Sequence, residues 1–337
     1  MHKQPTLKDI ATELGVSTST VSRALHDHYS IGKATREKVK KLAKQWGFKP
    51  NPAALSLLNN RTKSIGIIIP EIIQPFYALS ISGMEAEATK RGYHLLVCQS
   101  LESYQKELQA LNALINSRVD GIVVCYSTET TDFSHITSLH EQTVPLVLFD
   151  RIIEGLDTYQ VISDDFHGAY LLTKNLLLSG YKRIAHITGP KQMSVSRNRL
   201  NGYVEAHKKA GIFPPDNYIK VSTLEKASTR KVTEQLLVLP KKPDAIFAIN
   251  DPAAMEVIQV LKANNIRIPE EIAVAGFDNQ QVTEYLSPTL TTVKQQAESM
   301  GKEAIKMIVS QIEGSKTTKV RSFETKLIVR ESSYRQT

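Results

Sequence analysis

The side chains best suited to recognition chemistry stand together early in the chain, in Ser17-Thr18-Ser19-Thr20-Val21-Ser22-Arg23. Short hydroxyls can donate to and accept from the edge of another molecule. An arginine adds a planar fork of two N–H groups that matches the O6 and N7 atoms of guanine. Thr18 and Ser19 carry little sequence information alone, whereas a bidentate arginine discriminates by roughly 1–3 kcal/mol. A second grouping is dispersed: polar residues close successive apolar runs at Pro70-Glu71, Asp150-Arg151, Ser163-Asp164, Gly189-Pro190, Asn250-Asp251 and Asp278-Asn279. Each pair alone reads as an ordinary loop or cap, but their recurrence after successive strands predicts a cleft for a small polar ligand.

Catalytic patterns are missing. No G-x-G-x-x-G follows a strand, and neither G-x-x-x-x-G-K-[ST] nor G-x-S-x-G occurs. The nine histidines form no metal-ligand spacing and no acid–base pair stands out, so a non-enzyme without metal or cofactor is expected. Cys98 and Cys125 lie in apolar runs and read as buried, reduced thiols. No segment approaches the roughly 18 apolar residues of a membrane span, and MHKQPTLKDIATEL lacks a signal-peptide core. A cytoplasmic, nucleoid-associated protein is expected.

The elements that position the first grouping follow from periodicity and capping. Thr6 and Asp9 have capping-box spacing before a short helix, 6–14, with Leu7, Ile10, Ala11 and Leu14 on one face. Gly15 ends it, and Ser17 caps a second helix to Leu25 with Val21, Ala24 and Leu25 inward. A third helix, Ala34 to Trp46, turns Val39, Leu42, Ala43 and Trp46 to one side and most of its basic residues to the others. Two short helices joined by a glycine turn and braced by a third make a helix-turn-helix, whose second helix enters the major groove of DNA. Charge agrees: residues 1–63 carry twelve Lys/Arg against four Asp/Glu, and the rest of the chain balances thirty against thirty. A basic end of this kind attracts a polyanion.

From Ser64 onward the chain alternates strands (64–70, 93–99, 121–126, 146–150, 158–163, 183–189, 245–250, 272–278) with helices (76–91, 104–117, 133–142, 166–179, 194–210, 228–239, 251–264, 297–312). The alternation predicts parallel sheets covered on both faces, in two similar α/β halves.

TLKDIATELGVSTSTVSRAL, KATREKVKKLAKQWGFKPN, and then LFDR, VISDDFHGAYL, GYKRIAHITGP, NDPAA, IPEEIAVAGFDN and LSPTLTTVKQ resemble, in order and over essentially the whole chain, the LacI/GalR-type bacterial regulators. Departures are Phe48 for the usual Tyr and Gly32 where many members have a capping Ser. The resemblance implies a helix-turn-helix headpiece (1–49), a hinge helix and linker (50–62), and a two-lobed, periplasmic-binding-protein-like effector and dimerisation domain (63–337). Its N-lobe would be 63–160 with 292–321, and its C-lobe 161–290 with 322–337, crossing over near 160, 290 and 322.

The expected DNA-contacting residues are Thr6, Ser17, Thr18, Ser19, Thr20, Ser22 and Arg23, then Asn51, Ala54 and Leu57. In the family a hinge leucine, here Leu57 with Ala54 beside it, wedges into the minor groove and bends the duplex. Leu55 and Leu58 stand where polar residues are common, so dimer packing is expected to matter more than charge in this hinge.

The implied effector-binding residues are Phe76, stacking on the ligand, with Asp150, Arg199, Asn250, Asp278 and Gln295 bonding it. A sugar or sugar derivative is the expected effector, although Arg151, Arg197 and Arg199 leave an anionic one open; for Arg197 a surface ion pair is the better reading. A protein co-regulator in place of a small molecule also fits. A solute receptor sharing the same lobes would have a signal peptide and no basic headpiece. No leucine heptads follow KLIVRESSYRQT, so a homodimer is expected, on pseudo-palindromic double-stranded operator DNA. Repression is the expected outcome.

Overall fold

The computed structural model describes residues 5–48, 61–315 and 318–334, and the chain divides into two compact units between Thr62 and Lys63. In the first, the Thr6 hydroxyl oxygen accepts from the Asp9 N–H at 3.2 Å while the Asp9 carboxylate accepts from the Thr6 N–H at 2.7 Å. This reciprocal cap starts α1 (Leu7–Leu14), and Gly15, at φ +63°, ends it in the left-handed conformation that glycine adopts without strain. Ser17 caps α2 (Thr18–Leu25), accepting from the Thr20 N–H at 3.1 Å. The third helix, α3 (Lys33–Gln45), starts at Gly32 with no side-chain cap. Ile10, Ala11, Val21, Ala24, Val39 and Ala43 form the shared core. Trp46 departs from expectation. It follows the last turn of α3 and is 36% exposed, because Gly47 (φ +64°) turns the chain and Phe48 packs on the core instead.

The second unit runs β1 (Ser64–Ile69), α4 (Pro75–Lys90), β2 (His94–Gln99), α5 (Tyr104–Asn116), β3 (Gly121–Val124), α6 (Ser134–Glu141), β4 (Leu146–Phe149), β5 (Tyr159–Ser163), α7 (Asp165–Leu178), β6 (Ile184–Thr188), α8 (Ser194–Lys209), β7 (Ile219–Val221), α9 (Lys226–Leu237), β8 (Ala245–Ala248), α10 (Asp251–Ala263), β9 (Ala273–Ala275), β10 (Thr292–Lys294), α11 (Ala297–Ile312), β11 (Val320–Phe323) and β12 (Lys326–Ile328). Two parallel sheets result, ordered β11-β5-β4-β3-β1-β2 and β7-β6-β8-β9, with β10 and β12 paired antiparallel as a small third sheet. Strands β3, β4 and β8 are buried at every residue, as expected of parallel strands covered on both faces.

Two glycines fix the packing of the first lobe. A Cβ on Gly83 would lie 2.1 Å from the Glu298 carbonyl oxygen, and one on Gly301 would lie 2.0 Å from that of Ser80. Helices α4 and α11 therefore touch backbone to backbone, and the obstructing atoms are carbonyls that cannot rotate away. Gly301→Ala is expected to destabilise by about 3 kcal/mol, the upper end of ordinary overpacking costs. A thermal melt of the variant measures this, and an unchanged midpoint would contradict the crossing.

The eight helices foreseen in this unit lie within two residues of those observed, but several strands stop one to three residues early. Beyond β4 and β9 the backbone turns to positive φ, at Asp150 (+64°) and Asp278 (+113°). Strands β7, β10, β11 and β12 were not foreseen. They are three or four residues long, and Lys220 and Arg321 interrupt their apolar pattern. Strand β5 pairs with β4 as far as Val161 and with β11 as far as Ser163, so the first sheet includes residues 161–163 and, through β11, 320–323.

Candidate functional site

On the first unit, Thr18, Ser19 and Arg23 are exposed along α2, and Thr20 and Ser22 are partly covered. The Arg23 carbonyl accepts from the His28 N–H at 3.0 Å, but its side chain makes no hydrogen bond or ion pair among the described residues, so the guanidinium fork is free for an outside acceptor. Thr6 and Ser17 are exposed but their hydroxyls are engaged: Thr6 donates to Asp9 at 2.7 Å, and Ser17 lies 2.7 Å from the Ser19 hydroxyl. Lys40 and Arg36 are drawn to Asp27 at 2.6 and 3.9 Å, which leaves Lys33, Lys38, Lys41 and Lys44 as the freer cations of α3. Asn51, Ala54 and Leu57 lie outside the described residues.

On the second unit, a cavity of about 620 Å³ opens at the C-terminal ends of the strands of both larger sheets, and Phe76, Asp150, Arg199, Asn250, Asp278 and Gln295 all line it. Phe76 is the second residue of α4, after Pro75, with its ring 6.1 Å from that of Phe149. Asn250 caps α10, its side-chain oxygen accepting from the Ala253 N–H at 3.0 Å; the cap also places its amide on the cavity wall. Asp150 and Asp278 sit just past β4 and β9 in the positive-φ backbone noted above. Strain of that kind, about 1–3 kcal/mol per residue, persists where the surroundings hold it, commonly at functional sites.

Arg199, on α8, is the electrostatic centre. Its Nε and Nη2 meet the buried Asp165 carboxylate at 2.8 Å, Nη1 donates to the Ile249 carbonyl at 2.7 Å, and the guanidinium lies 3.7 Å over the Phe277 ring. Asp278 stands 3.8 Å from Nη1 and accepts from the Gln295 amide at 2.7 Å. Gln295 is itself held by Ser163, whose hydroxyl donates to its oxygen at 2.5 Å. Burial holds Asp278 well above the usual carboxylate range despite Arg199.

Burial, reinforced by the charge of Asp165, pushes Asp150 up to about 6. Its nearby donors are weak, the Tyr77 hydroxyl at 3.4 Å and the Cys125 thiol at 3.9 Å. In the unfolded chain Asp150 would lose its proton near 3.9. A raised folded value means stability that is full below about pH 4 and is lost as pH rises through about 6. Asp150→Asn, always neutral, is thus expected to be more stable than the wild type at pH 7.5, by on the order of 2–3 kcal/mol, and no more stable at pH 4. Melts at the two pH values check the sign, and a gain that is the same at both would contradict it.

With this geometry in view, comparison with known proteins is direct. Residues 6–51 match the bacterial regulatory proteins of the lacI family, and residues 173–333 match the periplasmic binding protein-like domain. The chain is 32% identical over 331 residues, covering 97% of itself and 96% of the relative, to the HTH-type transcriptional repressor CytR of Escherichia coli. The chain belongs to the LacI family. It is also 34% identical over 307 residues to the Ribose operon repressor of Escherichia coli, covering 91% of itself and 93% of that protein. Among solved structures it is similar to the transcriptional regulator CelR in complex with cellobiose, with TM-score 0.75, 31% identity, and coverage of 97% of this chain and 99% of that one.

Several wall residues of this LacI-family protein were not singled out from sequence: Leu101, Glu102, Thr128, Gln192 and Met193. Glu102 lies three residues past β2, so the strand-end rule that flagged Asp150 would have reached it had the loop been followed further. Asp165 was missed because it sits inside a helix start, yet it is 2% exposed and anchors Arg199. Arg197 behaves as sequence favoured, pairing with Glu154 at 2.6 Å away from the wall. Ser163 supports Gln295 from behind the wall, and Asn279 turns away to Arg330 at 2.8 Å. Cys125 is buried as expected, but Cys98, on the edge strand β2, is only half-buried. Among the described residues no helix is long and apolar enough to cross a membrane.

Proposed function

We propose that this LacI-family regulator is a cytoplasmic repressor that binds a pseudo-palindromic operator as a homodimer and is controlled by a sugar or sugar derivative held between its lobes. One observation carries the reading: aromatic, amide, carboxylate and guanidinium groups from both lobes converge on one cavity of about 620 Å³, within the range of small-molecule sites. Hydroxyl donors suit Asp150 and Asp278, amides at Asn250 and Gln295 can donate or accept, and the Phe76 ring suits an apolar sugar face. That CelR was solved with cellobiose and that a Ribose operon repressor is a relative support a carbohydrate. Operator contact is assigned to the α2 surface led by Arg23 and, beyond it, to Asn51, Ala54 and Leu57. Residues 1–49 serve as headpiece, 50–62 as hinge and 63–337 as effector and dimerisation domain. Dimerisation is supported by exposed apolar residues on neighbouring elements, Leu79 on α4 and Leu96 and Val97 on the edge strand β2.

A thermal-shift screen of sugars and nucleosides on the full chain tests the proposal, since a ligand at about 100 times its Kd adds about 2.7 kcal/mol. Stabilisers are expected, and they should change operator affinity and lose their effect in Asp278→Asn. If no small molecule shifts either property, a protein co-regulator takes the effector's place.

A further inference from the structure

Six carboxylates but only two cationic side chains, Arg151 and Arg199, stand on the cavity wall. The guanidinium of Arg199 is committed to Asp165, as described. Arg151 is buried, and the outer edge of its guanidinium is filled from within: Nη1 and Nη2 meet the two oxygens of Glu102 at 2.8 and 2.7 Å, and Nη1 also donates to the Tyr126 carbonyl at 2.7 Å, while the buried Nε has no partner among the described residues. Glu102 is locked in turn, accepting from the Thr128 N–H and hydroxyl at 2.6 and 2.7 Å. Delivering Glu102 to this position requires two consecutive non-glycine residues in left-handed backbone, Leu101 at φ +49° and Glu102 at φ +58°. Bulky residues rarely adopt that conformation, so the loop is held against its preference in order to place one carboxylate.

We infer that Glu102 acts as an anion filter: by occupying the Arg151 fork it restricts the cavity to uncharged or amine-bearing ligands and excludes phosphorylated ones. A planar guanidinium is the side chain best matched to a phosphate or carboxylate, because it donates two parallel hydrogen bonds. An incoming anion would have to displace a carboxylate that makes four hydrogen bonds. Ligand hydroxyls or amines meet instead the acceptor oxygens of Asp150 and Asp278. This inference rests on the reading of the cavity as the effector site, and it settles which charge class that effector belongs to.

The test uses the full-length protein, thermal melts and calorimetry, with ribose against ribose 5-phosphate, and glucose against glucosamine and glucose 6-phosphate, together with inorganic phosphate. In the wild type each phosphorylated compound is expected to bind at least a hundredfold more weakly than its neutral or amine-bearing twin. Glu102→Gln is expected to bind inorganic phosphate at least tenfold more tightly than the wild type, and Glu102→Gln/Arg151→Gln to lose that gain. Phosphate binding by the wild type that disappears in Arg151→Gln overturns the inference while leaving the effector site intact. So does a Glu102→Gln variant with unchanged phosphate affinity. If the variant does not fold, the wild-type pairs decide alone, a phosphorylated twin binding as tightly as the neutral one being contrary. No binding by any compound, with operator affinity unmoved, overturns the effector reading and the inference with it.

Discussion

Arg199→Leu is expected to lower stability by about 3–5 kcal/mol at pH 7.5 and to abolish the response to effector. The stability loss follows from burial: Arg199 and Asp165 side chains are only 6% and 3% exposed, so removing the cation strands a carboxylate that water cannot reach. The deficit should shrink toward pH 4. Burial raises Asp165 above its ordinary value even with Arg199 present, and without the cation it holds its proton more tightly still. Once that proton is bound in both folded and unfolded states, the stranded charge no longer penalises folding. The double variant Arg199→Leu/Asp165→Leu separates structure from function. Replacing a buried pair by apolar residues is often neutral, so stability should largely return. The ligand response should not, because the guanidinium that lines the cavity is gone. Denaturant melts and ligand titrations of both variants provide the measurement, and full effector response in the double variant would contradict the assignment.

Arg23→Ala carries the second large effect. Loss of a bidentate contact to guanine costs about 1–3 kcal/mol in each headpiece, so a dimer with two headpieces stands to lose roughly 2–6 kcal/mol of operator binding. Discrimination at the contacted base pair should relax as well. Arg23 differs in this from Lys41 on α3, whose replacement by alanine should weaken binding to all sequences alike and reduce the salt slope by about one. Anisotropy titrations against operator and scrambled duplexes at several salt concentrations separate the two. If Arg23→Ala weakens both duplexes equally, Arg23 contacts phosphate rather than a base.

Much of the architecture was legible because it rests on local rules. The Thr6–Asp9 capping box, the Gly15 stop and the Ser17 cap are read from residue type and spacing, and each reappears as a specific hydrogen bond or φ angle. Parallel strands such as Gly121–Val124 and Ala245–Ala248 are continuous apolar runs that announce themselves. What stayed hidden depends on contacts distant in sequence. Strands β11 and β12 are short and partly exposed, and only pairing with β5 and β10 makes them strands. Asp165 and Glu102 gain their importance from arginines 34 and 49 residues away, which no spacing rule links to them. The six cavity residues were found through the strand-end rule and the family resemblance together. The pairing of Glu102 with Arg151, on which the exclusion of anions rests, needed the distances.

The central claim is that cavity and operator surface are linked in one ligand-controlled regulator, and linkage is reciprocal. The decisive measurement is the operator Kd of the full chain with and without a cavity ligand, paired with the ligand Kd with and without operator. The account predicts that both change by the same factor, on the order of 5–150, and that Asp278→Asn removes both changes together. A ligand that occupies the cavity yet leaves operator affinity unchanged would contradict it.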